Sequence, residues 1–230
     1  MTGAGDPDGE QDAGDDGSGD GADGDDGAEW PVELRGVTES VVTTLGPNDR
    51  WNAAALGIHA PAGESVVDEA DEADGTEAVT ARTYGRTRTW RNFRERGGGY
   101  VQFTRDPVTF VEAALSVSES EEPILPSADA WVRVAVERRG ETADAGTQVV
   151  TWALEPVESA VDRQTVPTTN RGYYAVVEAT VAASRLDVDA YDRSELLDRL
   201  AYFESVVETA GGRRERAAFD RVRELVDAEW

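Results

Sequence analysis

Glu39-Ser40-Val41-Val42-Thr43-Thr44-Leu45, the turn Gly46-Pro47-Asn48-Asp49, and Trp51-Asn52-Ala53-Ala54-Ala55-Leu56-Gly57-Ile58-His59-Ala60 form the stretch on which the fold turns. The first segment alternates, with Val41, Thr43 and Leu45 on one face. Four turn formers then separate it from the second, which is the pattern of a β-hairpin. The second strand is unusually small: small residues cannot fill a core alone, and such a strand often marks close approach of another group. A flat aromatic ring lying on this backbone would supply the missing volume. Asn52, on the face of Ala54 and Leu56, could then hydrogen-bond the ring's polar edge. A helix packed on the strand satisfies the same pattern.

Working outward, residues 61–77 are acidic and featureless and are expected to be a loop, while Ala78–Tyr84 alternates again. Arg86-Thr87-Arg88-Thr89-Trp90-Arg91-Asn92-Phe93-Arg94-Glu95-Arg96 has a threonine start and a Gly97-Gly98-Gly99 stop, the signals of a short helix. Tyr100–Thr104 returns to strand. Asp106-Pro107 is an N-cap followed by a proline at the first helical position, with Phe110, Val111, Ala114 and Leu115 expected on the buried side. Trp131–Glu137 and Gln148–Glu155 are the last clear strands. Beyond Thr165 the period becomes helical at Tyr174, Val177 and Val181. It continues at Leu196, Leu197, Leu200, Phe203 and Val207 after an Asp192-x-x-Glu195 start, and at Phe219, Val222, Leu225 and Val226 after a Gly211-Gly212 stop. About six strands with two short helices, followed by three helices, predict a mainly β barrel or sandwich bearing a helical C-terminal piece.

The 230 residues carry a formal net charge of −25, with 47 acidic residues, a single histidine, His59, and no cysteine. All 22 basic residues are arginine. Disulfides, thiolate zinc sites and iron–sulfur clusters are thereby excluded, and a histidine metal cluster cannot form within one chain. Asp68, Glu69, Asp71, Glu72 and Asp74 lack the spacing of a calcium loop and read as solvated loop, so no metal site is expected. Acid surplus without lysine resembles the composition of proteins from salt-accumulating archaea. There is no signal pattern and no apolar run long enough to span a membrane, so a cytoplasmic protein is expected. Residues 1–30 hold nine Asp, two Glu and nine Gly, too polar to offset their ordering entropy. The expected organisation is a disordered acidic tail over 1–29, a barrel domain over 30–163 and a helical region over 164–230.

Arg82, Arg86, Arg88, Arg91, Arg94, Arg96 and Arg105 place seven of the 22 arginines within 24 residues, a local reversal of sign. A helix starting at Thr87–Thr89 adds free backbone N–H groups and hydroxyls to these guanidinium forks, a combination suited to a phosphate monoester. A surface helix paired with acid elsewhere has the same composition. Glu178, Arg171 and Arg185, spaced by helical turns, are candidates for a buried polar network or for closing a ligand site.

These features together resemble the archaeal family called domain of unknown function 447, which has the FMN-binding split β-barrel fold of flavin reductases. The resemblance runs from about Val37 to Leu186. It rests on Glu39–Thr44, Asn52-Ala53-Ala54, Arg86–Phe93, Asp106-Pro107-x-x-Phe110-Val111-Glu112-Ala113-Ala114-Leu115 and Asn170-Arg171-x-x-x-Ala175-Val176-Val177-Glu178-Ala179. It implies FMN as cofactor, with Thr87, Arg88, Thr89 and Asn92 at the phosphate and ribityl, and with Asn52, Ala53 and Ala54 flanking the isoalloxazine. Gln102 joins the expected cofactor-binding set, although the wider flavin-reductase group often has Asn there. The Gly97-Gly98-Gly99 run looks slack for a ring environment. The resemblance also implies a homodimer with flavin near the interface, and a flavin-dependent oxidoreductase of unassigned substrate. No residue declares itself a general acid or base, so catalytic residues are unassigned. The alternative is an anion- or RNA-binding module that uses the Arg82–Arg105 cluster with Trp90, Phe93 and Tyr100 as stacking surfaces. The net charge opposes nucleic acid as a partner.

Overall fold

The computed structural model describes residues 28–61, 78–144 and 146–230. The tail expected to be disordered, up to residue 27, and the acidic stretch holding Asp68–Asp74 lie outside the described residues.

The hairpin forms as its sequence dictates. Strand β1 (Val37–Leu45) pairs antiparallel with β2 (Trp51–His59) along its whole length, from Val37↔His59 to Leu45↔Trp51. The other strands are β3 (Thr80–Tyr84), β4 (Gly98–Thr104), β5 (Ser118–Ser120), β6 (Ala128–Asp144) and β7 (Thr147–Val161). The sheet order is β1-β4-β6-β7-β3-β2-β5, and the extra β1–β2 pairing closes six of these strands into an antiparallel barrel. Among the described residues there are five helices: α1 (Arg88–Arg96), α2 (Pro107–Leu115), α3 (Arg171–Ala183), α4 (Arg193–Ala210) and α5 (Arg213–Leu225).

Several elements differ from the sequence expectation. Three-residue β5 escaped notice because Ser-Glu-Ser carries no apolar alternation; it pairs with Trp51–Ala53 on the outer edge of β2. Strand β6 runs past its expected end to Asp144 through a polar and mostly exposed stretch, and β7 runs past Glu155 to Val161 along the first half of β6. Only Gly97 of the glycine run is a helix stop, in the left-handed region at φ 70°. Gly98 and Gly99 are not slack; they open β4. A Cβ at Gly98 would lie 2.5 Å from the Val134 carbonyl oxygen, and one at Gly99 2.8 Å from that of Thr43. On α2, Ala113 is buried together with Phe110 and Val111, while Ala114 and Leu115 are half-buried. Helix α3 buries Ala175, Val176, Ala179 and Ala183, whereas Tyr174 is 55% exposed. Its small residues, not its large ones, mark the packed face, because a close helix–helix approach favours alanine.

Three apolar clusters follow. The barrel interior is filled by Val42, Leu56, Ile58, Val101, Val132, Val150 and Trp152, and Phe93 of α1 plugs one end edge-on to Trp152, with ring centroids 5.5 Å apart. Helices α3–α5 enclose Val176, Ala179, Leu200, Phe219 and Val222. Between the two, Phe110 and Ala113 of α2 pack on Val41 and Ala53, joining the helical layer to the outer face of the hairpin. Among the described residues, no helix is long and apolar enough to cross a membrane.

Candidate functional site

Helix α1 is capped by Thr87, whose hydroxyl accepts a hydrogen bond from the Trp90 amide at 3.1 Å, and its first turn carries no acidic residue. The remaining free N–H groups of that turn, with the positive end of the helix dipole, constitute an anion-favouring terminus. The terminus opens onto a cleft of about 590 Å3.

The cleft exists because the barrel is split at this point. Strand β2 pairs with β5 through Trp51–Ala53 and with β3 only at Ile58 and His59, so on that edge Ala54–Gly57 faces no strand among the described residues. Ala54, Ala55 and Leu56 line one wall of the cleft, and Arg82, Thr83 and Tyr84 of the diverging β3 line the opposite one. Thr87 and Thr89 close the fork. Phe110 and Ala113 of α2, together with Val181, Arg185, Val188 and Tyr191 from the end of α3 and the segment after it, form the cover. Tyr84 is 53% exposed and Tyr191 44% exposed, two half-free rings at the mouth. The Arg185 guanidinium lies 5.2 Å from the Tyr191 ring centroid. A helix N-terminus, two arginines, an unpaired strand edge and apolar walls therefore meet in one space. Its size falls in the range of about 300–1,000 Å3 usual for small-molecule and cofactor sites.

Of the eight residues expected to bind cofactor, Ala54, Thr87 and Thr89 border this cleft. The others lie elsewhere. Asn92 is 1% exposed, and its amide donates to the Thr44 hydroxyl at 2.9 Å. Gln102, equally buried, donates to the Thr43 hydroxyl at 2.9 Å and the Pro123 carbonyl at 3.0 Å, and accepts from the Leu125 amide at 2.7 Å. Both side chains hold the barrel together, and their amide donors are spent doing so. Asn52 is buried opposite Thr44 in the hairpin, and Ala53 borders a separate cavity beyond α2. Arg88 pairs with Glu119 of β5 at 2.6 Å. Sequence reasoning did not single out Glu39, Tyr84, Thr180, Ser184 or Tyr191. The alternation of β3 did carry a signal, since Tyr84 shares a face with Arg82.

Two titratable groups near the cover are perturbed. Glu39 lines the cleft, and its carboxyl is raised above the usual range by lost hydration and then by the charge of Glu178. Tyr173 is pushed up to about 12, chiefly by burial, and its hydroxyl donates to the Thr104 carbonyl at 3.2 Å. The Glu178, Arg171 and Arg185 candidates do not form a buried network. Glu178 and Arg171 are exposed, Glu178 lies 3.8 Å from Arg199, and Arg185 turns to the cleft.

A six-stranded split barrel with a cleft at a helix N-terminus and a helical C-terminal layer defines the structural class. The model for the N-terminal domain of the protein of unknown function DUF447 matches residues 38–163, and the model for DUF447 itself matches 170–224. The chain belongs to this family. Among solved structures it is similar to an FMN-bound DUF447 protein of Methanosarcina mazei, at 24% identity and a TM-score of 0.66, with 84% of this chain and 96% of that chain covered. Smaller likenesses link it to a flavoredoxin of Methanosarcina acetivorans (9% identity, TM-score 0.38, 61% and 78% covered) and to the styrene monooxygenase flavin reductase of Pseudomonas putida (9%, 0.36, 57% and 93%).

Proposed function

We propose that the chain is an FMN-binding protein that holds the flavin in the cleft at the split of the barrel. The observation that carries this reading is the convergence of the α1 N-terminus, at Thr87 and Thr89, on the unpaired Ala54–Gly57 edge of β2. The phosphate would sit at the helix terminus, where backbone N–H groups and the Thr89 hydroxyl can donate and Arg82 and Arg185 contribute charge. The ring would lie along the β2 edge, whose backbone groups outside the β3 and β5 pairings match the polar rim of an isoalloxazine. Apolar Leu56, Phe110 and Val181 would exclude water from its faces. The FMN-bound relative from Methanosarcina mazei supports this assignment. When bound, FMN supplies hydride and single-electron transfer, which makes a flavin-dependent oxidoreductase the natural reading; the protein supplies position and electrostatics.

The nucleic-acid alternative loses support from the geometry. Phe93 is buried in the barrel, Tyr100 is packed between Trp51 and Trp131 at 5.3 and 5.8 Å, and the Arg94 guanidinium lies 4.5 Å from the Trp90 ring centroid. The stacking surfaces are already used. Val157 and Val161 of β7, exposed at 42% and 47%, support the further proposal of a homodimer, which light scattering would test. Arginine as the sole basic residue amid 47 acids supports a cytoplasm rich in salt as the setting.

The decisive experiment titrates the protein with FMN and, separately, with riboflavin in molar salt, followed by flavin fluorescence. Saturable FMN binding at least about tenfold tighter than riboflavin is expected, because a charge-assisted phosphate contact is worth roughly 1.5–3 kcal/mol. Absence of FMN binding would remove the proposal; equal affinities would remove the phosphate assignment.

A further inference from the structure

We propose that the cavity on the other side of α2 binds a second ligand, an organic anion carrying a carboxylate or phosphate group, through Arg214, Arg163 and the Ser127 hydroxyl. This open cavity of about 810 Å3 shares no lining residue with the flavin cleft. It takes Ala53 from β2 and Thr109 from α2, whereas the cleft takes Ala54 from β2 and Phe110 from α2. The two spaces are therefore neighbours separated by one strand and one helix.

Its charge pattern is unusual for a chain at −25. Arg105, Arg163 and Arg214 all border it. The carboxylates among them are committed. Asp129 is shared by Arg105 at 2.7 Å and Arg163 at 3.6 Å. Asp106 caps α2 by accepting from the Val108 amide at 3.0 Å. Glu112 is held by Arg221 and by the Ser116 hydroxyl at 2.8 Å. Arg214, in the first turn of α5, forms no ion pair among the described residues. Arg163 is fixed in place by donating to the Ala128 and Pro126 carbonyls at 2.8 and 2.6 Å.

The independent observation that points to a ligand is Ser127. Its Oγ is buried and has no hydrogen-bond partner, and the residue itself is part of the lining of this cavity. A buried hydroxyl left unpaired costs free energy, which a bound acceptor recovers. Guanidinium forks grip carboxylate and phosphate oxygens bidentately, and the volume suits an organic anion better than a bare ion.

The test is calorimetric titration of the full chain, with FMN present, using citrate and pyrophosphate as separate probes. One saturable site per chain is expected for at least one probe, and the tighter probe tells carboxylate from phosphate chemistry. Arg214→Gln should weaken that binding by about tenfold or more, the size of a lost charge-assisted contact. Ser127→Ala should also weaken it while leaving the melting temperature unchanged or higher, since the deleted hydroxyl has no partner to lose. Both variants should bind FMN as the wild type does. Failure of both probes to saturate, equal affinity in the variants, or competition between probe and FMN would overturn the proposal. Loss of FMN binding with anion binding intact would overturn the flavin reading alone. Should Arg214→Gln fail to fold, Ser127→Ala decides.

Discussion

Two regions of α1, its inner face and its N-terminal end, do opposite jobs with similar residues. The inner face drives Phe93 into the barrel and ties Asn92 to Thr44, so the amide nitrogen of that asparagine is satisfied within the protein. The N-terminal end offers Thr89 and unpaired backbone donors to a cleft. Asparagine and glutamine look like ligand-binding residues in a sequence, yet here Asn92 and Gln102 act as internal fasteners. What distinguishes a site from a fastener is spare hydrogen-bonding capacity, and burial together with hydrogen-bond partners reveals it.

The largest test of this contrast is Phe93→Ala. Removing a buried aromatic from a barrel plug costs about 3–5 kcal/mol, read as a drop in unfolding free energy by urea denaturation in constant salt. Asn92→Ala should come next: it leaves the Thr44 hydroxyl and carbonyl without their donor, a loss of about 1–3 kcal/mol. For whatever fraction folds, FMN affinity in the Asn92 variant should stay within about 0.5 kcal/mol of wild type, as for sites outside the ligand shell. A selective loss of FMN affinity with stability intact would show that Asn92 belongs to the site and would erase the contrast.

The barrel was legible because its signals are local. Alternation along Glu39–Leu45 and the Gly46-Pro47-Asn48-Asp49 turn specify the hairpin, and Thr87, Asp106 and Asp192 each cap the helix they introduce, whereas the Asn170 cap of α3 carried no signal that was read. The strand ends of β6 and β7 were not legible, since β6 beyond Glu137 is polar and exposed and the register of β7 shifts near Pro156, which breaks its alternation. The site was half legible. The helix terminus and the small-residue strand are sequence patterns, but the split between β2 and β3 is a matter of register, and the cover supplied by Arg185 and Tyr191 comes from a segment more than 80 residues downstream. The arginine run misled in a different way. Arg88, Arg94 and Arg105 each pair with a carboxylate, so composition overstated the charge available to a ligand.

Thr89→Val sharpens the contrast from the other end of the helix. The substitution keeps shape and removes the hydroxyl, so the fold should be nearly untouched. FMN should bind about tenfold more weakly if that hydroxyl donates to the phosphate, while riboflavin affinity, measured by the same fluorescence titration, should not change. An equal loss for both flavins would place the contact away from the phosphate.

The smallest expected effect concerns Glu39, whose charge works against an anion in the cleft. Its carboxyl is raised in the folded protein, first by lost hydration and second by Glu178. The unfolded chain therefore gives up this proton at lower pH than the folded one. Below the ordinary value of 4.5 both states are protonated and Glu39 has no effect on stability. As pH rises above that value, the unfolded state is favoured by its earlier ionisation, and the penalty is complete once the folded group has also ionised. Glu39→Gln removes the penalty, so the variant should gain stability over wild type at pH 7, and the gain should shrink as pH falls toward 4.5. Urea midpoints at the two pH values check the sign. Salt separates the causes: at about 1 M the Debye length is roughly 3 Å, which should erase the share due to Glu178 and leave the share due to desolvation. A gain independent of pH would mean that the substituted amide simply packs better and that the ionisation of Glu39 has no bearing on the cleft.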